Sequence, residues 1–139
     1  YAAILHDIGK SMLDPATVNS RGKLTDEQWK EMKMHPVYGE DILKEQGVTS
    51  PLILDVVRHH HEKIRGWGYP DGLSGNEITE YARICTIADI FEALTTQRSY
   101  KPALRSFPAL QMMKGEMLGD LDQDFFRVFV DMMGNPSGE

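Results

Sequence analysis

Apolar positions recur at helical spacing along most of the chain, and polar or breaker residues cut them into short segments. Thr25 with Gln28 three residues later is a capping-box pattern, predicting a helix through Glu27, Trp29, Met32 and Lys33. His35-Pro36 interrupts it, and Pro36 suits the first turn of a second helix that reaches Ile42, Leu43 and Gln46 before Gly47 closes it. Ser50-Pro51 is another cap and first-turn pair, opening an apolar helix through Leu52, Ile53, Val56 and Val57 into a run of histidines. Residues 63 to 79 carry four glycines and a proline and read as loop. Helix returns over Tyr81 to Thr95, with Ile84, Ala88, Phe91 and Leu94 along one side, and a final pair follows near 106 to 114 and 122 to 133. Strand signals are poor throughout. The pattern predicts an all-α helical bundle forming one domain over residues 1 to 133, followed by a flexible tail from Gly134 to Glu139. Tyr1-Ala2-Ala3-Ile4-Leu5-His6 begins at once in helix-favouring apolar residues with no cap, as though a helix were entered midway. The expectation is that the first helices of the domain are missing.

Composition sharpens this only a little. A chain of 139 residues with 41% hydrophobic and 26% charged residues fits a single domain with one modest core. Its one cysteine, Cys85, sits in an apolar stretch, so no internal disulfide is possible and a buried, inert thiol in a reducing cytoplasm is expected. No apolar run approaches the ~20 residues needed to cross a membrane, so no membrane segment and a soluble, cytoplasmic protein are expected. A net charge of -6 argues against a broad nucleic-acid surface, so no nucleic-acid polymer is expected as a partner. A small phosphate ligand stays possible, because bound metal and a few cations can reverse the local potential.

The chemistry lies in the histidines. All five fall in acid-accompanied clusters: His6-Asp7, His35, and His59-His60-His61-Glu62, with Asp89 in an otherwise apolar run further on. Imidazole and carboxylate together are what a borderline divalent metal takes as ligands, so four separated segments point to one metal centre. His6 and Lys10 are four apart and share a helix side if the opening helix continues, placing a ligand beside a cation. Asp7 has two oxygens with which to bridge two metals. His60 and His61, as helix neighbours, diverge by about 100° and would more naturally grip different metals, or metal and substrate, than chelate one ion. Asp89 needs something positive nearby, either metal or one of Arg98 and Lys101 as a structural ion pair. Bland alternatives exist for each feature alone: His35 as a helix cap, the His59 to Glu62 run as a solvated helix end, the methionines as core filler. Together they would have to use up every histidine by accident.

The succession His6-Asp7-Ile8-Gly9-Lys10, His35-Pro36-Val37-Tyr38-Gly39, His60-His61-Glu62, Gly66-Trp67-Gly68-Tyr69-Pro70, Ala88-Asp89-Ile90-Phe91-Glu92-Ala93-Leu94-Thr95 and Arg98-Ser99-Tyr100-Lys101 resembles the ordered motifs of the HD-GYP family. The resemblance implies an HD-type helical bundle, a centre of two or three divalent metal ions, commonly iron or manganese, and hydrolysis of cyclic di-GMP to pGpG or GMP in bacterial signal transduction. By matching position it implies His6, Asp7, His35, His60, His61 and Asp89 as metal ligands, with Asp7 as the bridge. It implies Asp7 and Lys10 as catalytic residues, and Lys10, Tyr69, Arg98 and Lys101 as contacts to substrate. His59 has no metal role in that pattern. The loop around Gly68-Tyr69-Pro70 is implied to lie beside the ligand pocket and to serve docking of GGDEF-domain proteins.

Two ions about 3.5 to 4 Å apart can lower the pKa of a shared water and aim the hydroxide at phosphorus, so no protein nucleophile is required. Lys10 would offset charge on the non-bridging oxygens, and Arg98 can present two parallel donors to a phosphate. The chain departs from the family pattern in two places. Arg65 stands where the signature usually has Asp, so either the loop is held differently or the substrate meets an extra cation. The family's preceding helix, with its further metal ligands, is absent from this chain. The second reading is therefore a catalytically incomplete module that binds nucleotide or a GGDEF partner as a regulator.

Overall fold

The computed structural model describes residues 1–97 and 102–134. Arg98 and Lys101, and the tail beyond Gly134, lie outside the described residues. Eight α-helices account for the described architecture: α1 (Ala2–Leu5), α2 (Pro15–Val18), α3 (Asp26–Met32), α4 (His35–Glu45), α5 (Pro51–His59), α6 (Glu80–Thr95), α7 (Ser106–Met112) and α8 (Gln123–Gly134). No strand occurs among the described residues, only an isolated antiparallel bridge between Arg65 and Ser74. The all-α expectation holds.

Local chemistry sets the helix ends. Thr25 accepts from the Gln28 amide at 3.2 Å while the Gln28 side chain accepts from the Thr25 amide at 3.0 Å, so the capping box starting α3 forms as expected. Gly47 ends α4 at φ +80, a conformation open to glycine at little cost. Thr79 caps α6 by accepting from the Ala82 amide. Ser50 precedes Pro51 as expected but makes no side-chain cap bond. The 63 to 79 loop contains one short 3-10 turn, Gly75–Glu77, held by a second capping box between Ser74 and Glu77. α7 loosens into a π turn over Met113–Met117.

The opening differs from expectation. α1 stops at Leu5, and after a turn at His6 and Asp7 the chain tightens into a 3-10 segment, Ile8–Met12. The reason is packing against α4. A Cβ on Gly9 would lie 1.9 Å from the His35 carbonyl oxygen and 2.5 Å from the Gly39 amide, and one on Gly39 would lie 2.8 Å from Val57 Cγ1. Two glycines thus let the 3-10 segment, α4 and α5 approach more closely than side chains permit, and tertiary contact overrides the helical propensity of the opening.

α6, the longest helix, runs between two apolar clusters. Ile87 and Leu94 pack with Ala109, Met113, Leu121 and Phe126 from α7, the π turn and α8. Toward the other end, Ala82 of α6, Leu43, Val56, Val57 and Ile78 are buried. Met113 fills the core as expected, but Met132 is mostly exposed. Asp89 sits on α6 between these clusters, and the ends of α1, α3 and α5 converge on it.

Candidate metal centre

Three of the histidines are aimed by the same device. His6 Nδ1 lies 2.8 Å from the Ala3 carbonyl, His35 Nδ1 2.7 Å from that of Met32, and His60 Nδ1 2.9 Å from that of Val57. In each case the partner is three residues back, at the end of the preceding helical turn. A carbonyl only accepts, so each Nδ1 carries the proton and each Nε2 presents a lone pair. A backbone acceptor of this kind orients metal-ligating histidines generally.

Those lone pairs converge. His35 Nε2 and His60 Nε2 are 3.3 Å apart, and Asp7 Oδ1 lies 3.2 Å from the first and 3.9 Å from the second. One ligand atom each from Asp7, His35, His60 and His61 falls within a 4.8 Å span. The expectation that His60 and His61 diverge by a full helical step is therefore corrected. α5 ends at His59, and His61 falls in the following turn, where the 100° helical rotation no longer applies.

His6 and Asp89 flank this group. His6 Nε2 stands 3.4 Å from Asp7 Oδ2 and 3.4 Å from Asp89 Oδ1, and His61 Nδ1 is 3.9 Å from Asp89 Oδ2. Asp7 thus turns one oxygen to His35 and His60 and the other to His6. His6 Nε2 and Asp7 Oδ1 are buried without a hydrogen-bond partner, and orphaned buried polar atoms of this kind fit a cation between them. All six residues proposed as ligands from the sequence come together here.

The electrostatics agree with a ligand set in its binding-ready protonation state. Burial, reinforced by the neighbouring imidazoles, pushes His60 down to about 4 and His61 to about 2, so both are neutral at pH 7. Burial alone would raise the Asp7 carboxyl, but the adjacent His35 imidazole and the Lys10 ammonium outweigh it and hold the group well below the usual carboxylate range. Asp89 is likewise held down against burial by His6 and His61. The facing Asp89 carboxylate raises His6.

Lys10 donates to Asp7 Oδ2 at 2.6 Å. Because the helix is broken, it reaches Asp7 across three residues and does not share a helix side with His6. It lines a cavity of about 320 Å³ together with His35, His61, Tyr69 and Asp89 on one side and Leu24, Trp29 and Met32 on the other. A second concavity of about 380 Å³ shares Asp89 and is bordered by His6, Asp7 and Cys85. The Cys85 thiol is buried and pushed up to about 11 by burial, as expected of an inert cysteine.

The signature loop is anchored twice, by residues the sequence reading passed over. Glu62, only 1% exposed, accepts from the backbone amides of Asp71 at 2.7 Å, Gly72 at 3.1 Å and Leu73 at 3.0 Å. Outside, Arg58 forks onto Asp71 at 2.7 and 2.9 Å and reaches Glu40 at 2.7 Å, while His59 bridges Asp55 and Asp71. His59 is fully engaged in this lattice and faces no ligand atom of the centre. Gly68 is packed so closely on the Glu62–Lys63 backbone that a Cβ would lie 2.4 Å from Glu62 Cα. Tyr69 is thereby pressed on the His61 ring, stacked at 4.8 Å. Arg65 covers Trp67 at 5.6 Å and lies against Gly119. It is not among the residues lining the cavity that holds Lys10 and Tyr69. The signal for Arg58 and Asp71 was present only as ordinary surface charge. Glu62 was visible, but as a member of the histidine run.

The chain matches the HD domain family model over residues 1–124, and it belongs to that family. It is 38% identical over 133 residues to a cyclic di-GMP phosphodiesterase of Pseudomonas aeruginosa, covering 96% of this chain and 32% of the relative. A 3'3'-cGAMP-specific phosphodiesterase of Vibrio cholerae is 38% identical over 125 residues, covering 90% and 27%. Among solved structures, the HDG"Y"P protein Bd1817 of Bdellovibrio bacteriovorus superposes with a TM-score of 0.74 at 20% identity, over 96% of this chain and 42% of that one. The fold is thus an HD-GYP-type bundle, bearing out the resemblance drawn from the motifs. This chain spans about a third of the length of the curated relatives it matches. No helix among the described residues is long and apolar enough to cross a membrane.

Proposed function

We propose that this chain belongs to the catalytic domain of a metal-dependent phosphodiesterase that hydrolyses cyclic di-GMP to pGpG or GMP. The observation that carries the reading is the convergence of His35 Nε2 and His60 Nε2, 3.3 Å apart with their Nδ1 atoms committed to backbone carbonyls, beside the buried Asp7 Oδ1. Such a convergence of imidazole nitrogens and a carboxylate oxygen fits a bound cation. The HD domain match and relatives named for cyclic di-GMP and 3'3'-cGAMP support the substrate class.

In this reading His6, Asp7, His35, His60, His61 and Asp89 would hold two or three divalent ions of iron or manganese, with Asp7 as the shared ligand. Ions so held supply Lewis-acid activation of water and of the phosphodiester. Hydrolysis forms one bond from the water oxygen to phosphorus and breaks the bond to the ribose oxygen, which leaves with a proton. Lys10 offsets charge growing on the non-bridging oxygens beside Asp7. Arg98 and Lys101 grip phosphate, and Tyr69 walls the cavity. The Gly68-Tyr69-Pro70 loop, flanked by the 65% exposed Trp67, is the proposed docking point for GGDEF-domain partners in the cytoplasm.

The test is direct. The purified chain, loaded anaerobically with Fe(II) or Mn(II), should retain metal by elemental analysis, and the protein extended upstream of Tyr1 and loaded in the same way should convert cyclic di-GMP to linear product by chromatography. Asp7→Ala should lose both metal and turnover, whereas His59→Ala should keep its metal. Equal metal retention in the two variants sinks the bridging role, and a metal-loaded extended protein that gives no product moves the assignment to a nucleotide- or GGDEF-binding regulator.

A further inference from the structure

The cavity above the histidines has two ends of different chemistry. Its polar end is Lys10, His61 and Asp89, and its apolar end is Leu24, Trp29 and Met32, with Tyr69 between them. Trp29 is 46% exposed and belongs to a seven-residue helix that buries none of its residues, so the core does not account for it. Its ring meets that of Tyr69 at 6.1 Å and 78°. Tyr69 is in turn fixed by its stacking on His61. Two nearly perpendicular aromatic rings make a corner, in which a flat heterocycle can lie against one ring while its edge meets the other.

We infer that Trp29 is a stacking platform for a nucleobase of the substrate, which seats its phosphate at the polar end of the cavity and its base in the Trp29–Tyr69 corner. The inference rests on the phosphodiesterase reading and extends it from the reacting phosphate to the base. A cavity of about 320 Å³ is within the size range of small-molecule sites. Stacking on an indole is indifferent to base identity, because every base offers a π face. Trp29 therefore contributes affinity for a nucleotide over a bare sugar phosphate and does not choose guanine over adenine.

The probes are GMP and ribose 5-phosphate, which share the phosphate and sugar and differ by the base, titrated calorimetrically into the metal-loaded chain. Wild type should bind GMP about tenfold or more tighter than ribose 5-phosphate. Trp29→Phe, which keeps a ring, should hold GMP within about threefold. Trp29→Leu, which keeps apolar bulk without a ring, should weaken GMP about tenfold and leave ribose 5-phosphate unchanged, the latter also reporting an intact fold. Wild-type GMP affinity in Trp29→Leu, equal weakening of both probes, or no preference for GMP in the wild type overturns the inference. This pattern together with an extended protein that leaves cyclic di-GMP intact overturns the proposed activity and keeps the base site. An extended protein that hydrolyses cyclic di-GMP with unchanged KM in Trp29→Leu overturns the base site alone.

Discussion

Removing Glu62 should loosen the signature loop without touching a single proposed metal ligand. Its carboxylate is buried with no cation against it and is compensated by three backbone amides, two on Oε1 from Asp71 and Gly72 and one on Oε2 from Leu73. Hydrogen bonds to a charged acceptor contribute about 1.5–3 kcal/mol each, and a buried donor left unpaired costs about 1–3 kcal/mol. Water can reach part of the loop once the carboxylate is gone, so the expected loss for Glu62→Ala is about 3–5 kcal/mol, at the high end for a point change. Glu62→Gln separates charge from geometry. Its carbonyl can keep the two Oε1 bonds, but the amide turns a donor toward the Leu73 N–H, so the expected cost is smaller, about 1–3 kcal/mol. Urea denaturation of the metal-free chain reads both values. Amide hydrogen exchange should show lost protection confined at first to residues 71–73, because the rest of the bundle does not depend on these bonds. Loosening Tyr69 from His61 should also weaken metal binding about 10- to 100-fold, the usual range for losing a group that orients a ligand. If Glu62→Gln is as stable as wild type, or Glu62→Ala leaves exchange at residues 71–73 unchanged, Glu62 does not hold this loop.

Gly9→Ala should be poorly tolerated, because the new Cβ meets backbone atoms of His35 and Gly39 that cannot rotate away. A loss of about 1–3 kcal/mol or more, with lowered metal content, is expected by thermal denaturation and elemental analysis, and a wild-type melt would refute the tight crossing. Asp71 is held down to about 2 by its Arg58 bond, assisted by His59. A carboxylate lowered from the ordinary 3.8 stabilises the fold above that pH and loses its contribution as pH falls from about 4 to about 2. Acid titration of Asp71→Asn should therefore be flatter than wild type in that window alone, and identical slopes would remove Asp71 from the loop's support.

Helix identity was readable where it is written locally. Thr25 with Gln28, Pro36 at the start of α4 and Gly47 at its end each act within a few residues, and each appears where the sequence placed it. The break after Leu5 was not readable, because it comes from Gly9 meeting Gly39 across the fold. The ligand set was visible as composition, since six side chains of metal-binding type in few segments is improbable by chance. Their mutual geometry was not. That His60 and His61 serve one group depends on α5 ending at His59, and element ends are the least certain feature of a sequence reading. Glu62, Arg58 and Trp29 stayed hidden for a common reason. Their roles are defined by partners 9 to 40 residues away, and a charged or aromatic residue near the surface carries no mark of its partner.

The repeated bond from imidazole Nδ1 to the carbonyl three residues back has a thermodynamic consequence. It ties each ligand to the frayable last turn of its own short segment, in parts of the chain far apart in sequence. Metal bound at the proposed centre would therefore fasten several loose ends at once and couple metal affinity to folding. A free ion concentration a thousandfold above its dissociation constant adds about 4 kcal/mol to the folded state, comparable with the whole effect of Glu62. A chelator is therefore expected to lower the melting temperature of the metal-loaded chain toward that of the metal-free one.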